Sequence, residues 1–148
     1  MKSRVMGLLV LCVLCLAGAV AAEAPAESAA TAVEGVWVTA DGDGWIEIQR
    51  DGDRFHGVIV GPTDDGRLDE ENPDPALRSR PLFGMRILDG FTADGGDKWS
   101  GGTIYDPNNG KTYSCTLELE QGTTLKVRGF IGVSLFGRTE RWTRKAGP

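Results

Sequence analysis

Polar and apolar positions alternate along this chain, most strictly over residues 111–120. Tyr113, Cys115, Leu117 and Leu119 fall on one side of an extended backbone there, with Thr112, Ser114, Thr116, Glu118 and Glu120 on the other. Leu125, Val127, Gly129 and Ile131 repeat the pattern. A period of two places successive side chains on opposite faces, so both stretches predict strands with one buried face. Similar, shorter runs occupy residues 35–39 (GVWVT), 45–50 (WIEIQR), 54–60 (RFHGVIV), 83–91 (FGMRILDGF), 98–106 (KWSGGTIYD) and 137–145 (GRTERWTRK). Aspartates and glycines at 41–44 and 51–53 separate the first of these runs, as hairpin turns require. No stretch after residue 22 carries apolar residues at helical spacing, so helix should be scarce.

Short strands joined in sequence order form a meander, whose simplest closure is an up-and-down barrel with no unpaired edge. The expected fold is all-β: a single antiparallel meander of about eight strands over residues 34–146, closed or nearly closed. A barrel of this size either fills with side chains or holds one small ligand. Gly57, Gly101, Gly102 and Gly129, inside the strands, suit bulges and corners. An open or split sheet is the structural alternative.

The first 22 residues stand apart from this pattern. Lys2 and Arg4 precede an uninterrupted apolar run at residues 5–20, and small residues lead to Ala21 and Ala22. That order is the n-region, h-region and cleavage site of a secretory signal peptide, and the run is short for a membrane-spanning helix. The protein is therefore expected to be exported, to the periplasm or beyond the cell, with no membrane span in its mature form. Residues 23–33 are alanine-rich without an apolar pattern and read as a flexible leader. Cleavage leaves 126 residues with 14 Lys and Arg against 21 Asp and Glu, a net charge of −7. Such a chain supports one core, and its acidity opposes nucleic-acid binding through phosphate neutralisation. Cys12 and Cys15 leave with the signal, so Cys115 is a lone thiol, read as buried in a strand.

Four phrases together resemble a bacterial exported family known as domain of unknown function 2147: GVWVT, NPDPALRSRPLFGMRIL, WSGGTIYDPNNGKTY and LKVRGFIGVSLFGRTERWTR, spanning residues 34–144. The resemblance implies export, one domain and a β-rich fold, and assigns no activity. This chain has Asp51 and His56 where many members carry cysteines, so the disulfide that the resemblance implies for that hairpin is absent here. Gly35, Val36 and Trp37 also resemble the first-strand Gly-x-Trp of lipocalin-like barrels. That resemblance implies that a late arginine, among Arg138, Arg141 and Arg144, stacks on the tryptophan where the barrel ends meet.

Little in the sequence favours catalysis. His56 is the sole histidine, and no serine sits in a Gly-x-Ser-x-Gly elbow. A transition-metal site would need more His or Cys ligands than His56 and Cys115, and no pattern marks out two opposed carboxylates. No cofactor is expected, and a hydrolase is the least favoured reading.

Binding has more support. The aromatic set, which includes Trp37, Tyr105, Tyr113 and Trp142, would either line a barrel interior or simply fill it. Residues 69–88 interrupt the alternation with three prolines, and within them Arg78 and Arg80 lie two apart, on one side if that segment is extended. Two guanidiniums so placed could hold a carboxylate or phosphate. They could equally pair with Asp69, Asp74 or Asp106 and fasten the 62–82 loop over the barrel end, the reading that so many nearby acids favour. The candidate ligand site is thus Arg78, Arg80, Trp37, Tyr105, Tyr113 and Trp142, for a small, partly apolar molecule with an anionic end as one option. The competing expectation is an envelope module that binds a protein or cell-wall polymer and holds no internal ligand.

Overall fold

A computed structural model describes residues 29–147, and the expected signal peptide lies outside the described residues. Eight strands follow in order: β1 (Gly35–Val38), β2 (Trp45–Asp51), β3 (Arg54–Gly61), β4 (Arg86–Ala93), β5 (Lys98–Asp106), β6 (Lys111–Glu120), β7 (Thr124–Phe130) and β8 (Arg138–Arg144). Each pairs antiparallel with the next, and β1 pairs with β8 through Trp37↔Arg144 and Val38↔Thr143, which closes the barrel. The fourth strand begins three residues later than the run at 83–91 suggests. Gly84 (φ 82°) turns the chain, and although Gly84 and Met85 already bond to Ile59 of β3, the regular strand starts only at Arg86. Ladder register shifts at Gly57 and between Trp99 and Gly102, where strand glycines predicted bulges, whereas Gly129 pairs in regular register with Cys115 and Arg138.

Inward alternation builds the core. Trp37, Ile46, Ile48, Phe55, Phe91, Trp99, Leu117, Leu125 and Trp142 are all essentially removed from water. An antiparallel meander sends alternate connections to opposite ends. The tight turns after β2, β4 and β6 share one end, and the connections after β1, β3, β5 and β7 share the other.

The tight-turn end is plugged by the last residues of the expected leader, of which residues 23–28 lie outside the described residues. Residues 29–33, read above as flexible, fold against the barrel, and Val33 is fully buried. Their carbonyls accept from donors that the core would otherwise strand: Trp37 Nε1 reaches Val33 O at 2.8 Å and Trp99 Nε1 reaches Ala30 O at 3.0 Å. Arg144 adds Nη2 to Ala32 O (2.5 Å), Nη1 to Glu34 O (2.8 Å) and Nε to Gly122 O (2.9 Å). Its guanidinium carbon lies 4.2 Å from the Trp37 ring centroid. Alanine gives no hydrophobic period, so sequence pattern alone could not reveal this use of the backbone.

Candidate ligand cavity

The opposite end is open. Ile46 on β2, Ile59 on β3, Ile87 on β4, Val127 on β7 and Trp142 on β8 form the walls of a cavity of about 540 Å³ that opens between the longer loops. That volume lies within the ~300–1,000 Å³ range of small-ligand sites. One cause is local. Gly129 follows Leu125 and Val127 on the inward face of β7, and a Cβ there would meet only Ile104 at 3.5 Å and Tyr113 at 3.7 Å. A larger residue would occupy the space that this position leaves empty.

The rim is polar and acidic on balance. Asp41, Asp43, Asp106 and Glu140 line it with Arg67 and Arg138. Arg67 is engaged by Asp65 (2.7 Å) and Arg138 by Glu140 (3.4 Å). Asp106 accepts from the Asn108 backbone and the Asn109 side chain, both at 2.9 Å, which shapes the β5–β6 turn. Asn109 also donates to Tyr113 Oη at 3.1 Å.

Three of the six candidate residues, Tyr105, Tyr113 and Trp142, line this cavity. Trp37 lies at the plugged end beneath Arg144, and Arg78 and Arg80 are not in the lining. The segment carrying the arginines is not extended as expected. Pro75–Leu77 forms a single 3-10 turn, capped by Asp74 Oδ1 on the Ala76 amide, and Arg78 takes right-handed helical angles at its end. The two side chains therefore part company. Arg78 Nε donates to Asn72 O at 2.8 Å, whereas Arg80 Nε and Nη2 each reach Asp69 Oδ2 at 2.8 Å.

Asp69 is the centre of this loop and is fully buried. Besides Arg80 it receives Tyr105 Oη at 2.5 Å and Asn72 Nδ2 at 2.7 Å. Burial alone would raise its pKa, but the hydrogen bonds from Tyr105, Asn72 and Arg80, with the Arg80 charge, outweigh burial and hold the carboxyl below its ordinary value. The Tyr105 hydroxyl is pushed up, by burial first and by the adjoining carboxylate second. Around this network residues 67–69 pair with 80–82, through Asp69 N to Arg80 O (3.0 Å) and Leu82 N to Arg67 O (2.9 Å). The pairing lays Leu82 into the cavity wall. Gly110 (φ 68°) makes room for the loop, since a Cβ there would lie 1.9 Å from Glu71 O.

His56 alternates with the buried Phe55 and Gly57 and so faces outward, away from the cavity. The Cys115 thiol is buried and its pKa is pushed up to about 12 by desolvation. Sequence reasoning missed Arg67, Leu82, Gly129, Ile131 and Phe136 as cavity residues. Gly129 and Ile131 had a signal in the inward alternation of β7, but the strand ends at Phe130 and leaves Ile131 exposed at the mouth rather than on a buried face.

The chain belongs to the family described as "uncharacterized protein conserved in bacteria (DUF2147)", whose model matches residues 35–144. A solved protein from Helicobacter pylori, described as belonging to the lipocalin family, is similar with a TM-score of 0.69 at 22% identity, over 76% of this chain and 82% of that one. A redesigned β-barrel is similar with a TM-score of 0.45 at 20% identity, over 80% of this chain and 96% of that one. No curated protein matches the chain. The likeness to the Helicobacter pylori protein shows the fold, a lipocalin-like barrel.

Proposed function

We propose that this barrel binds a small, partly apolar molecule through its open end and does not transform it. The observation that carries the reading is the cavity of about 540 Å³, apolar along its walls and polar at its rim. An apolar body would pack against the apolar walls formed by Ile46, Ile59, Ile87, Val127 and Trp142, while a polar end stays at the rim. The predominance of rim acids, with Arg67 and Arg138 already engaged by carboxylates, favours an uncharged hydrogen-bonding end over a strongly anionic one. Tyr105, Tyr113 and Trp142 belong to this proposed site, and Arg80 serves it indirectly by fastening the loop that carries Leu82. The outward His56 and the turn-building role of Asp106 give no support to catalysis.

A neutral naphthylamine probe tests the reading by its fluorescence. The wild type should bind it saturably, and Gly129→Phe, which fills the cavity from β7, should abolish binding while circular dichroism stays unchanged. Equal binding by a folded Gly129→Phe protein would refute the site. Native mass spectrometry of unheated protein adds a direct search for co-purified ligand. The basic start, apolar run and alanine-rich end of residues 1–22 support delivery to the periplasm or outside, which N-terminal sequencing of protein from cell fractions would check.

A further inference from the structure

A second cavity, of about 360 Å³, adjoins the first beneath the β3–β4 connection. The two meet along Arg67, Leu82, Pro107 and Asn108, which line both. Glu70 and Glu71 line only the smaller one and bring carboxylates to it, whereas the walls of the barrel cavity are apolar. We propose that this side cavity seats the polar end of the bound molecule and that this end is a protonated amine. The ligand is then an amphiphilic amine whose apolar chain lies in the barrel. Such a ligand presupposes the barrel-binding function proposed above and gives it a chemical class.

The charge balance selects the cation. Among the described residues, neither Glu70 nor Glu71 is in an ion pair or a side-chain hydrogen bond. Arg67, the cation among the lining residues, is already engaged by Asp65 at 2.7 Å. Asp41, Asp43 and Asp106 at the adjoining rim add charge of the same sign. An anionic head would meet these carboxylates with Arg67 already taken, whereas an ammonium gains charge-assisted hydrogen bonds to them. The carboxylates also stand on a fixed segment. Asp69 is held by Tyr105 and Arg80, Asn72 N bonds to Asp69 O at 3.0 Å, and Glu71 O is packed where a Cβ at Gly110 would lie 1.9 Å away. Acceptors positioned in advance cost less ordering on binding than mobile surface acids. Leu82, shared by the two linings, is an apolar link over which a chain anchored by its amine reaches the barrel interior.

Displacement of the naphthylamine probe by three amphiphiles of equal chain length, decylamine, decanol and decanoate, tests this at neutral pH and below their micellar concentrations. Decylamine should displace the probe at about tenfold lower concentration than decanol, the size of two exposed charge pairs acting together, and decanoate should be the weakest. In Glu70→Gln/Glu71→Gln the advantage of decylamine over decanol should fall below about threefold, with probe and decanol binding unchanged. Asp51→Asn/Asp53→Asn removes the same charge at the plugged end and should keep the full advantage, which separates the side cavity from the chain's overall acidity. Equal displacement by decylamine and decanol in the wild type, or a full advantage in Glu70→Gln/Glu71→Gln, would overturn the amine subsite while probe binding leaves the barrel site standing. Failure of the wild type to bind the probe would overturn both.

Discussion

Removing the Asp69 carboxylate should release the 62–85 loop without unfolding the barrel. The side chain is fully buried and accepts from Tyr105, Asn72 and Arg80 at 2.5–2.8 Å. Hydrogen bonds to a charged partner contribute ~1.5–3 kcal/mol each, and truncating one member of a buried pair costs ~3–5 kcal/mol. The lower part of that range applies, because the Arg80 side chain is 39% exposed and can recover water once its partner is gone. About 3 kcal/mol of easier loop opening corresponds to about a hundredfold larger open population. Trypsin reads that population through cleavage after Arg78, so Asp69→Ala should be nicked there about a hundred times faster than the wild type. Asp69→Asn keeps the shape and one acceptor oxygen and should fall between the two. The urea midpoint read by tryptophan fluorescence should move much less, because Trp37, Trp99 and Trp142 are packed in the barrel itself. Cleavage of Asp69→Ala within threefold of the wild type would refute the fastening role.

The same carboxyl predicts a pH dependence. Its folded pKa lies below the ordinary value, so its stabilisation is complete above ~4 and is lost as pH falls through the folded value. The gap in loop-opening free energy between wild type and Asp69→Asn, from amide hydrogen exchange over the 62–85 loop, should therefore be constant near neutrality and close below about pH 4. At the plugged end, Arg144→Ala removes a cation–π contact and three bonds to carbonyls, and should lower global stability by about 3 kcal/mol in urea unfolding. Arg144→Lys keeps the charge but not the planar fork, and should recover less than half of that. The Cys115 thiol, with its pKa pushed up to about 12, should resist thiol reagents in the folded protein and react promptly in denaturant.

Strands were legible in this sequence because each shows one face to the core and one to water. Tyr113, Cys115, Leu117 and Leu119 do so without exception, and the Gly-x-Trp at 35–37 correctly suggested a late arginine, Arg144, over Trp37. What escaped was everything that depends on backbone carbonyls or on long-range meeting of loops. Residues 29–33 serve the barrel through their carbonyl oxygens, and any sequence supplies those. Asp69 and Tyr105 stand 36 positions apart, so nothing local distinguished Asp69 from its acidic neighbours. The loop arginines were legible in part: the fastening reading holds for Arg80 on Asp69, while their expected common side does not. Their two-residue spacing implied a common side only while the segment stayed extended, and Asp74 with Pro75 curls it instead.

The two ends of the barrel divide stability from access. At the plugged end, Trp37, Trp99, Phe55 and Phe91 are packed to near-zero exposure and their polar atoms are bonded, so that half can carry the ordering of the sheet. The open end carries features that each weaken a fold: a glycine facing an unfilled interior, clustered acids, and apolar side chains in water. An unfilled space of this size forfeits the contacts its lining would otherwise make, and acids of one sign repel. Both costs are tolerable only if the opposite end closes the sheet independently. Asp69 ties the loop to the sheet at the open end, since the fully buried carboxylate is held by Tyr105 from the sheet and by Arg80 from the loop. Loosening that joint should therefore change entry to the cavity before it changes the barrel, the order of events that cleavage after Arg78 and tryptophan fluorescence separate.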